Sequence, residues 1–205
     1  MAHSRFHILY CDVGGVLGTN GWDTSLRKKI VSHFQLDLQE IEGRHHLMFD
    51  SYERGHMSFE EYLKRVFFAA PRPFSVDDVR DFSYNESIPW PENIELFKRV
   101  KESNRMKLAL ISNEGRDLTE YRVRKFGLRD VADFLIFSHF VGLRKPDREI
   151  WDLALHLAQA TPSESIYVDD RELFVDIAAE IGFTAVHHVS LEATRERLGQ
   201  FGLVV

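Results

Sequence analysis

Short runs of apolar residues recur along the chain, and the stretches between them carry apolar positions at helical spacing. Five runs are nearly continuous in hydrophobic character: Phe6–Cys11, Lys107–Ser112, Phe134–Ser138, Ser165–Asp169 and Thr184–His187. Runs of this length are typical of strands that are covered on both faces, as in a parallel sheet. The alternation of strand and helix from residue 107 onward predicts right-handed βαβ units in one sheet.

Helical periodicity is clearest in two segments of the second half. Apolar residues at i, i+3, i+4 and i+7 occur at Ile150, Leu153, Ala154 and Leu157, and again at Phe174, Ile177, Ala178 and Ile181. Pro146 followed by Asp147 predicts the beginning of the first helix, and Gly182 predicts the end of the second.

Residues 20–88 interrupt this alternation, because they contain helical patterns but no convincing strand. An apolar stripe occupies Phe59, Tyr62, Leu63, Val66 and Phe67, and Ser75 with Asp78 predicts a capping box at the start of another helix. We therefore expect an α/β fold. Residues 1–19 and 89–205 would form a Rossmann-like core with a parallel sheet flanked by helices, and residues 20–88 a small all-helical domain inserted after the first strand.

Composition and charge narrow the class of protein. The chain is 44% hydrophobic and 28% charged, which is typical of a globular protein. Its net charge of −6 provides no general attraction to nucleic acid or anionic lipid. The single cysteine, Cys11, excludes an internal disulfide, and no apolar run reaches the about 18 residues of a membrane span. We expect a cytoplasmic monomer or homodimer.

Polar side chains follow four of the predicted strands. Asp12 follows the first, Ser112–Asn113 close the second, Lys145 comes seven residues after the third, and Asp169–Asp170 close the fourth. Each is an ordinary turn, cap or loop residue when taken alone. Adjacent carboxylates, however, repel each other unless a cation holds them. Because ligands bind at the carboxyl ends of parallel strands, we expect these groups to converge.

The chemistry of this set is that of phosphoryl transfer. A carboxylate can attack phosphorus and form an aspartyl-phosphate, and carboxylates from two strands make the oxygen shell that Mg²⁺ prefers. A serine hydroxyl, backbone N–H groups and a lysine offset the remaining phosphoryl charge. The glycines at 14–18 lack the Gly-Lys-Ser/Thr of a P-loop, and no Gly-x-Ser-x-Gly elbow occurs. The adjacent pairs His45–His46 and His187–His188 point apart, which disfavours metal binding by either pair.

The four segments in this order resemble the motifs of the haloacid dehalogenase superfamily of aspartate-nucleophile hydrolases. Tyr10–Leu17 resembles motif one, Leu110–Asn113 motif two, Arg144–Asp147 motif three and Tyr167–Asp170 motif four. The helical segment 20–88 lies where this superfamily carries its mobile cap. Motif one is most similar to that of sugar-phosphate phosphatases with Asp-x-Gly-Gly or Asp-x-Gly-Asn.

The resemblance implies that Asp12 is the nucleophile and, together with the Gly14 carbonyl and Asp170, a ligand of Mg²⁺, with Asp169 in support. Two positions depart from the superfamily pattern. Most of its phosphatases have a second aspartate, the general acid and base, where this chain has Gly14. Phe174 stands where an asparagine or aspartate usually supports the metal site, and its place on an apolar stripe predicts packing. A missing proton donor costs on the order of 10² to 10⁴ in rate.

The same resemblance implies that Ser112 and Asn113 bind the phosphoryl group and that Lys145 balances charge between nucleophile and phosphate. We expect a Mg²⁺-dependent phosphatase of a small phosphorylated metabolite, such as a sugar phosphate. Without a second aspartate, it would favour anomeric, acyl or aryl phosphates, whose leaving oxygen needs little protonation. Two alternatives are a catalytically weak binding or regulatory protein and a metal-independent 2-haloacid dehalogenase.

Polar residues in the helical insertion are candidates for a surface that faces the substrate. They are Arg44, His45, His46, Tyr52 and Arg54. Taken one at a time, each of these residues is more often simply part of the solvent-facing side of a helix.

The expected partner is a small phosphate ester, and we expect neither nucleic acid nor a membrane to be involved.

Overall fold

The computed structural model describes residues 5–205 and places five parallel strands in one sheet with the order β3-β2-β1-β4-β5. The strands are β1 (Ile8–Cys11), β2 (Lys107–Ser112), β3 (Phe134–Phe137), β4 (Ser165–Asp169) and β5 (Thr184–His187). Every predicted run forms a strand, with ends that differ by at most two residues. The α/β prediction is therefore confirmed. Residues 1–4 of the predicted core domain lie outside the described residues.

Helices connect and cover the strands. They are α1 (Thr24–His33), α2 (Leu38–Glu53), α3 (Phe59–Phe67), α4 (Val76–Asn85), α5 (Pro91–Asn104), α6 (Arg116–Lys125), α7 (Leu128–Val131), α8 (Ser138–Val141), α9 (Arg148–Ala158), α10 (Glu172–Ile181) and α11 (Leu191–Gln200), with one 3-10 turn at Pro162–Glu164. The two predicted stripes form α9 and α10, and α10 ends at Gly182 in the left-handed conformation. None of the helices in the described part of the chain combines the length and apolar character needed to cross a membrane.

Both faces of the sheet are buried, which explains why its strands are apolar at successive positions. In β1, Leu9 and Cys11 belong to an apolar cluster with α5 and α11, whereas Ile8 and Tyr10 belong to a second cluster with α9 and α10. Successive side chains of a strand point to opposite faces, so a strand covered on both sides loses the polar alternation of a surface strand.

The strand order determines where polar groups at strand ends meet. The chain proceeds from β1 through β2 to β3 on one side of the sheet and then crosses to β4 on the other side of β1. The reversal lies between β1 and β4, so the residues that follow these two strands, Asp12 and Asp169–Asp170, flank the crevice. Ligands of open parallel sheets bind in such crevices.

Helices α1 to α4 occupy the predicted insertion and share an apolar cluster of their own. Trp22, Phe59 and Tyr62 lie in it, together with Leu118 from α6. The predicted capping box of Ser75 is present at the start of α4, where Ser75 Oγ accepts from the backbone N–H of Asp78 at 3.2 Å. No strand lies between β1 and α5 in residues 5–205. The division into a core and a separate mobile domain at residues 20–88 stays a prediction.

Candidate active site

Lys145 lies at the centre of a buried charge cluster at the carboxyl ends of β1 and β4. Its ammonium is 3.1 Å from Oδ1 of Asp12 and 2.6 Å from Oδ2 of Asp169, and it donates to the carbonyl of Ile111 at 3.2 Å. Its side chain is only 1% exposed. Burial opposes its charge, but attraction to Asp12 and Asp169 outweighs this effect and raises the pKa of Lys145 above its usual value. The lysine is therefore a fixed cation between two carboxylates.

Asp169 has its carboxylate fully engaged in holding this arrangement. Besides the Lys145 ammonium, Oδ2 accepts the Tyr167 hydroxyl at 2.5 Å, and Oδ1 accepts the backbone N–H of Arg171 at 2.9 Å. The side chain is completely buried. Asp169 consequently orients Lys145 toward Asp12, and its oxygens are less free than those of its neighbours to bind a ligand.

Asp170 is the carboxylate with a free oxygen. Its Oδ2 accepts from the Asn20 side-chain amide at 3.1 Å, whereas its Oδ1 is buried without a hydrogen-bond partner among the described residues. Burial and then the charge of Asp12 raise the pKa of Asp170 to about 6, and burial also raises the pKa of Asp12. Both shifts follow from burial together with repulsion between the neighbouring carboxylates.

The acidic cluster suits a hard divalent cation. One carboxylate oxygen from each of Asp12, Asp169 and Asp170 can be chosen so that all three lie within 4.8 Å of one another. Asp12 and Asp169 contact the buried Lys145 ammonium, and the unpartnered Oδ1 of Asp170 offers an oxygen ligand beside them. Mg²⁺ prefers such oxygen donors. Neither adjacent histidine pair belongs to the cluster.

The loop after β1 brings glycine against these acids. Gly15 has a φ of +71°, and a Cβ at that position would collide with the Asp170 carboxylate. Glycine is therefore required here both by the left-handed backbone and by the close approach of Asp170. Gly14 lines the pocket beside Asp12. The backbone N–H of Asp12 donates a hydrogen bond to the Val168 carbonyl of β4 at 2.9 Å.

The end of β2 supplies Ser112 and Asn113, which differ in what their side chains do. Ser112 is buried at the pocket. Asn113 forms two hydrogen bonds with the backbone of Lys145: its Nδ2 donates to the carbonyl at 2.7 Å, and its Oδ1 accepts from the N–H at 2.8 Å. The Asn113 side chain thus positions Lys145, and a contact of Asn113 with a phosphoryl group, which stays a prediction, would use its second amide N–H or its backbone.

One pocket unites most of the predicted site residues. It is lined by Asp12, Gly14, Ser112, Asn113 and Lys145, and Asp169 and Asp170 adjoin it through their contacts with the same cluster. Residues that the sequence analysis did not single out also line it, namely Asn20, Gly21, Trp22, Asp23, Glu53, Glu114, Arg122 and Arg171. Nothing in the local sequence distinguishes these residues from helix caps and surface charges.

None of the five candidate residues of the helical insertion lines this pocket, so a role for them toward the substrate stays a prediction. His45 Nδ1 instead lies 2.6 Å from the Tyr62 hydroxyl, and Tyr52 is buried against Tyr62. Arg44 pairs with Glu40 and Arg54 with Asp147, while His46 has its ring near Phe49. Glu53 reaches the pocket instead, and Arg144 donates to its carboxylate at 2.6 and 2.9 Å. Helix α2 presents the predicted residues to other helices and loops, and this orientation depends on tertiary packing.

Phe174 packs as predicted and also covers the buried lysine. It belongs to the apolar cluster that includes α9 and α10, and its ring centroid lies 5.1 Å from the Lys145 ammonium. A cation over an aromatic face is attracted by the ring quadrupole, more strongly when water is excluded. The aromatic ring therefore complements the lysine charge at a position where the superfamily usually has an asparagine or aspartate.

A second buried ion pair forms one wall of the pocket. Arg122 on α6 donates through Nη1 to Oε1 of Glu114 and through Nη2 to the carbonyl of Thr19 at 2.6 Å. Arg122 is 1% exposed and Glu114 3% exposed. Burial raises the pKa of Glu114, and the Arg122 charge opposes that change. The pair fixes the loop at Thr19 against α6.

Replacing Arg122 by methionine is expected to lower the free energy of unfolding by about 3 kcal/mol, because Glu114 is left buried without a cation. Urea unfolding at neutral pH measures the change. The double variant Arg122→Met/Glu114→Gln should be more stable than Arg122→Met alone, since it contains no buried unpaired charge. A single variant that loses less than about 1 kcal/mol would show that this pair is not a structural support.

Comparisons with known proteins agree on one family. Residues 12–182 match the family model described as haloacid dehalogenase-like hydrolase. The chain is 34% identical over 101 residues to haloacid dehalogenase-like hydrolase domain-containing protein 3 of Bos taurus, an alignment that covers 49% of this chain and 40% of that protein. It is 38% identical over 56 residues to D-ribitol-5-phosphate phosphatase of Bacteroides thetaiotaomicron, which covers 27% of each. The chain thus spans less than half the length of these relatives.

A solved structure extends the likeness to the whole fold. The HAD family enzyme bt-2542 of Bacteroides thetaiotaomicron, crystallised in complex with magnesium and inorganic phosphate, aligns with a TM-score of 0.74 and 21% identity. The alignment covers 89% of this chain and 93% of that enzyme. At this identity the comparison supports the architecture, that is, the five-stranded parallel sheet with its helices.

Proposed function

Since the chain belongs to the haloacid dehalogenase-like hydrolases, we propose that it is a Mg²⁺-dependent phosphatase of small phosphorylated metabolites. The observation that carries this proposal is that carboxylate oxygens of Asp12, Asp169 and Asp170 lie within 4.8 Å of one another, with the buried ammonium of Lys145 against the first two residues. A phosphatase among the relatives and a magnesium and phosphate complex among the similar structures support it.

In this proposal Asp12 is the nucleophile. A carboxylate oxygen of Asp12 attacks phosphorus, the ester P–O bond breaks, and its electron pair leaves with the substrate oxygen. Water then attacks phosphorus in the aspartyl-phosphate, which releases inorganic phosphate and restores the Asp12 carboxylate. Ser112 and Lys145 offset the charge of the phosphoryl oxygens. Asp12, Asp170 and the Gly14 carbonyl would hold Mg²⁺, which when bound supplies further positive charge at the phosphoryl group.

No carboxyl group stands at position 14, where most phosphatases of the superfamily carry the acid that protonates the leaving oxygen. Position 14 is glycine, and the other pocket-lining carboxylates of the described chain each have a partner. Asp23 accepts from the backbone of Leu26 at the start of α1, Glu53 binds Arg144 and Glu114 binds Arg122. We therefore propose that the preferred substrates are anomeric, acyl or aryl phosphates, whose leaving oxygen is weakly basic.

A panel of small phosphates, assayed with Mg²⁺ and with EDTA, tests the proposal. We expect release to require Mg²⁺ and kcat/KM to be about 10²-fold higher for anomeric, acyl and aryl phosphates than for primary alkyl phosphates. Ribitol 5-phosphate, a primary alkyl ester, is the discriminating substrate. Equal rates on the alkyl esters would contradict the preference for weakly basic leaving groups, and release that persists in EDTA would contradict the metal dependence.

The same panel, extended by a 2-haloacid, separates the two alternatives from this proposal. A 2-haloacid dehalogenase would release halide from the 2-haloacid in EDTA, and a regulatory protein would show no turnover on any ester. The paired carboxylates of Asp169 and Asp170 favour the phosphatase over the metal-independent reaction. We further propose that residues 20–88 act as a cap, because Trp22, Asp23 and Glu53 from this segment line the pocket. A closed segment excludes water and selects the substrate.

A further inference from the structure

Asn20 contacts the acidic cluster from the loop that precedes α1. Its side-chain Nδ2 donates to Oδ2 of Asp170 at 3.1 Å, and the residue lines the pocket with Asp12. Among residues 5–205, no other side chain forms a hydrogen bond with the Asp170 carboxylate. The amide binds Oδ2 only, so the other oxygen of Asp170, Oδ1, is buried without a hydrogen-bond partner. Asn20 thereby limits the rotation of the carboxylate.

The same side chain fills the space beside Gly14. A Cβ at Gly14 would lie 2.8 Å from Oδ1 of Asn20, closer than such atoms approach each other, and 3.4 Å from its Cα. The backbone of Gly14 is not in the left-handed region, so its conformation does not itself require glycine. The first atom that a side chain at position 14 would meet is the movable amide of Asn20, which would have to give way.

The loop that carries Asn20 is held firmly on both sides. The N–H of Thr19 donates to the Ile88 carbonyl at 2.9 Å, its hydroxyl donates to the Glu86 carbonyl at 2.8 Å, and its own carbonyl accepts from Arg122 at 2.6 Å. On the other side, Trp22 is buried, and its indole N–H donates to the Tyr62 hydroxyl at 2.8 Å. Asn20 therefore approaches Asp170 and Gly14 from a fixed backbone.

We propose that Asn20 is a positioning residue that sets the orientation of Asp170 for the cation, and that a side chain at position 14 would disturb this contact by displacing the Asn20 amide. An amide neither gives up nor takes up a proton at neutral pH, so Asn20 serves Asp170 as a hydrogen-bond donor. The inference rests on the proposed function, because Asp170 is the carboxylate offered to Mg²⁺.

Mg²⁺ affinity, measured by titration calorimetry without substrate, tests the proposal. We expect Asn20→Ala to weaken Mg²⁺ binding by about 10-fold or more, as is typical when a residue that orients a metal ligand is removed. Gly14→Ala should weaken it similarly, because its new methyl group displaces the Asn20 amide from Asp170. In the double variant the two effects should not multiply, since Asn20 is already absent. Asn104→Ala, a variant of an asparagine that bonds to Val100 and Val204 instead, is the matched control and should bind Mg²⁺ as the unaltered protein does.

Three outcomes distinguish the inference from the function on which it rests. Unchanged Mg²⁺ affinity of folded Asn20→Ala, or effects that multiply in the double variant, overturns the inference and leaves the phosphatase proposal intact. An unaltered protein that binds no Mg²⁺ overturns the proposed function and the positioning role together. In that case thermal unfolding still tests the crowding: Gly14→Ala should lower the Tm by about 2–4 °C in the presence of Asn20 and by less in the Asn20→Ala background. An equal loss in both backgrounds refutes it.

Discussion

Asp12→Asn is expected to lower the rate of phosphate release by at least about 10⁴-fold while the protein remains folded. The amide has the shape of the carboxylate but cannot form the aspartyl-phosphate. Stability should change by no more than about 1 kcal/mol, because burial already disfavours the charge of Asp12 and Lys145 retains its contact with Asp169 at 2.6 Å. Steady-state kinetics with the best ester of the panel and urea unfolding measure the two quantities.

Asp37→Asn is the matched control for this change. Asp37 is an exposed residue that caps α2 by accepting from the backbone N–H of Glu40, and asparagine caps helices equally well. The control variant should retain both activity and stability. If Asp12→Asn kept more than a few per cent of the rate, Asp12 would not be the nucleophile. Phosphate release by the unaltered protein would in either case exclude the regulatory alternative.

Replacing Lys145 by methionine is expected to lower the free energy of unfolding by about 5 kcal/mol and to lower kcat by 10²-fold or more. The change leaves Asp12 and Asp169 buried without their shared cation, and it also removes the ammonium that offsets phosphoryl charge. Methionine preserves the volume under the Phe174 ring, so the loss measures charge and not a cavity. Urea unfolding in EDTA reports the stability, and single-turnover kinetics with Mg²⁺ report the chemical step.

The stability deficit of Lys145→Met should depend on pH with a definite sign. Lys145 lowers the pKa of Asp12, so its removal raises this pKa further above the unfolded value. A carboxyl group with a raised native pKa is bound to a proton more often in the native than in the unfolded state, and stability then falls as pH rises. The deficit should therefore be larger at pH 8 than at pH 5. Lys28→Met, at an exposed position of α1, is the control and should show neither the loss nor its pH dependence.

The chemistry of the strand ends was accessible from the amino-acid sequence. Successive side chains of a strand point to opposite faces of the sheet, so a strand buried on both faces appears in the sequence as a continuous apolar run. Polar residues directly after such runs, as at Asp12 and Asp170, must then lie at the carboxyl edge of a parallel sheet. The presence of Asp12, Ser112, Lys145 and Asp170 around one crevice follows from strand order and needs little knowledge of side-chain packing.

Only the tertiary structure decided which side chains support these residues and which face the pocket. Asn20 meets Asp170 across 150 positions of the chain, Arg144 meets Glu53 across 91, and Asn113 is bound to the backbone of Lys145 instead of pointing freely into the site. The five candidates in the helical insertion do not line the pocket for the same reason, since their side chains contact other elements. Side-chain partners depend on distances and orientations between elements far apart in sequence, and local patterns of polar and apolar residues contain no information about them.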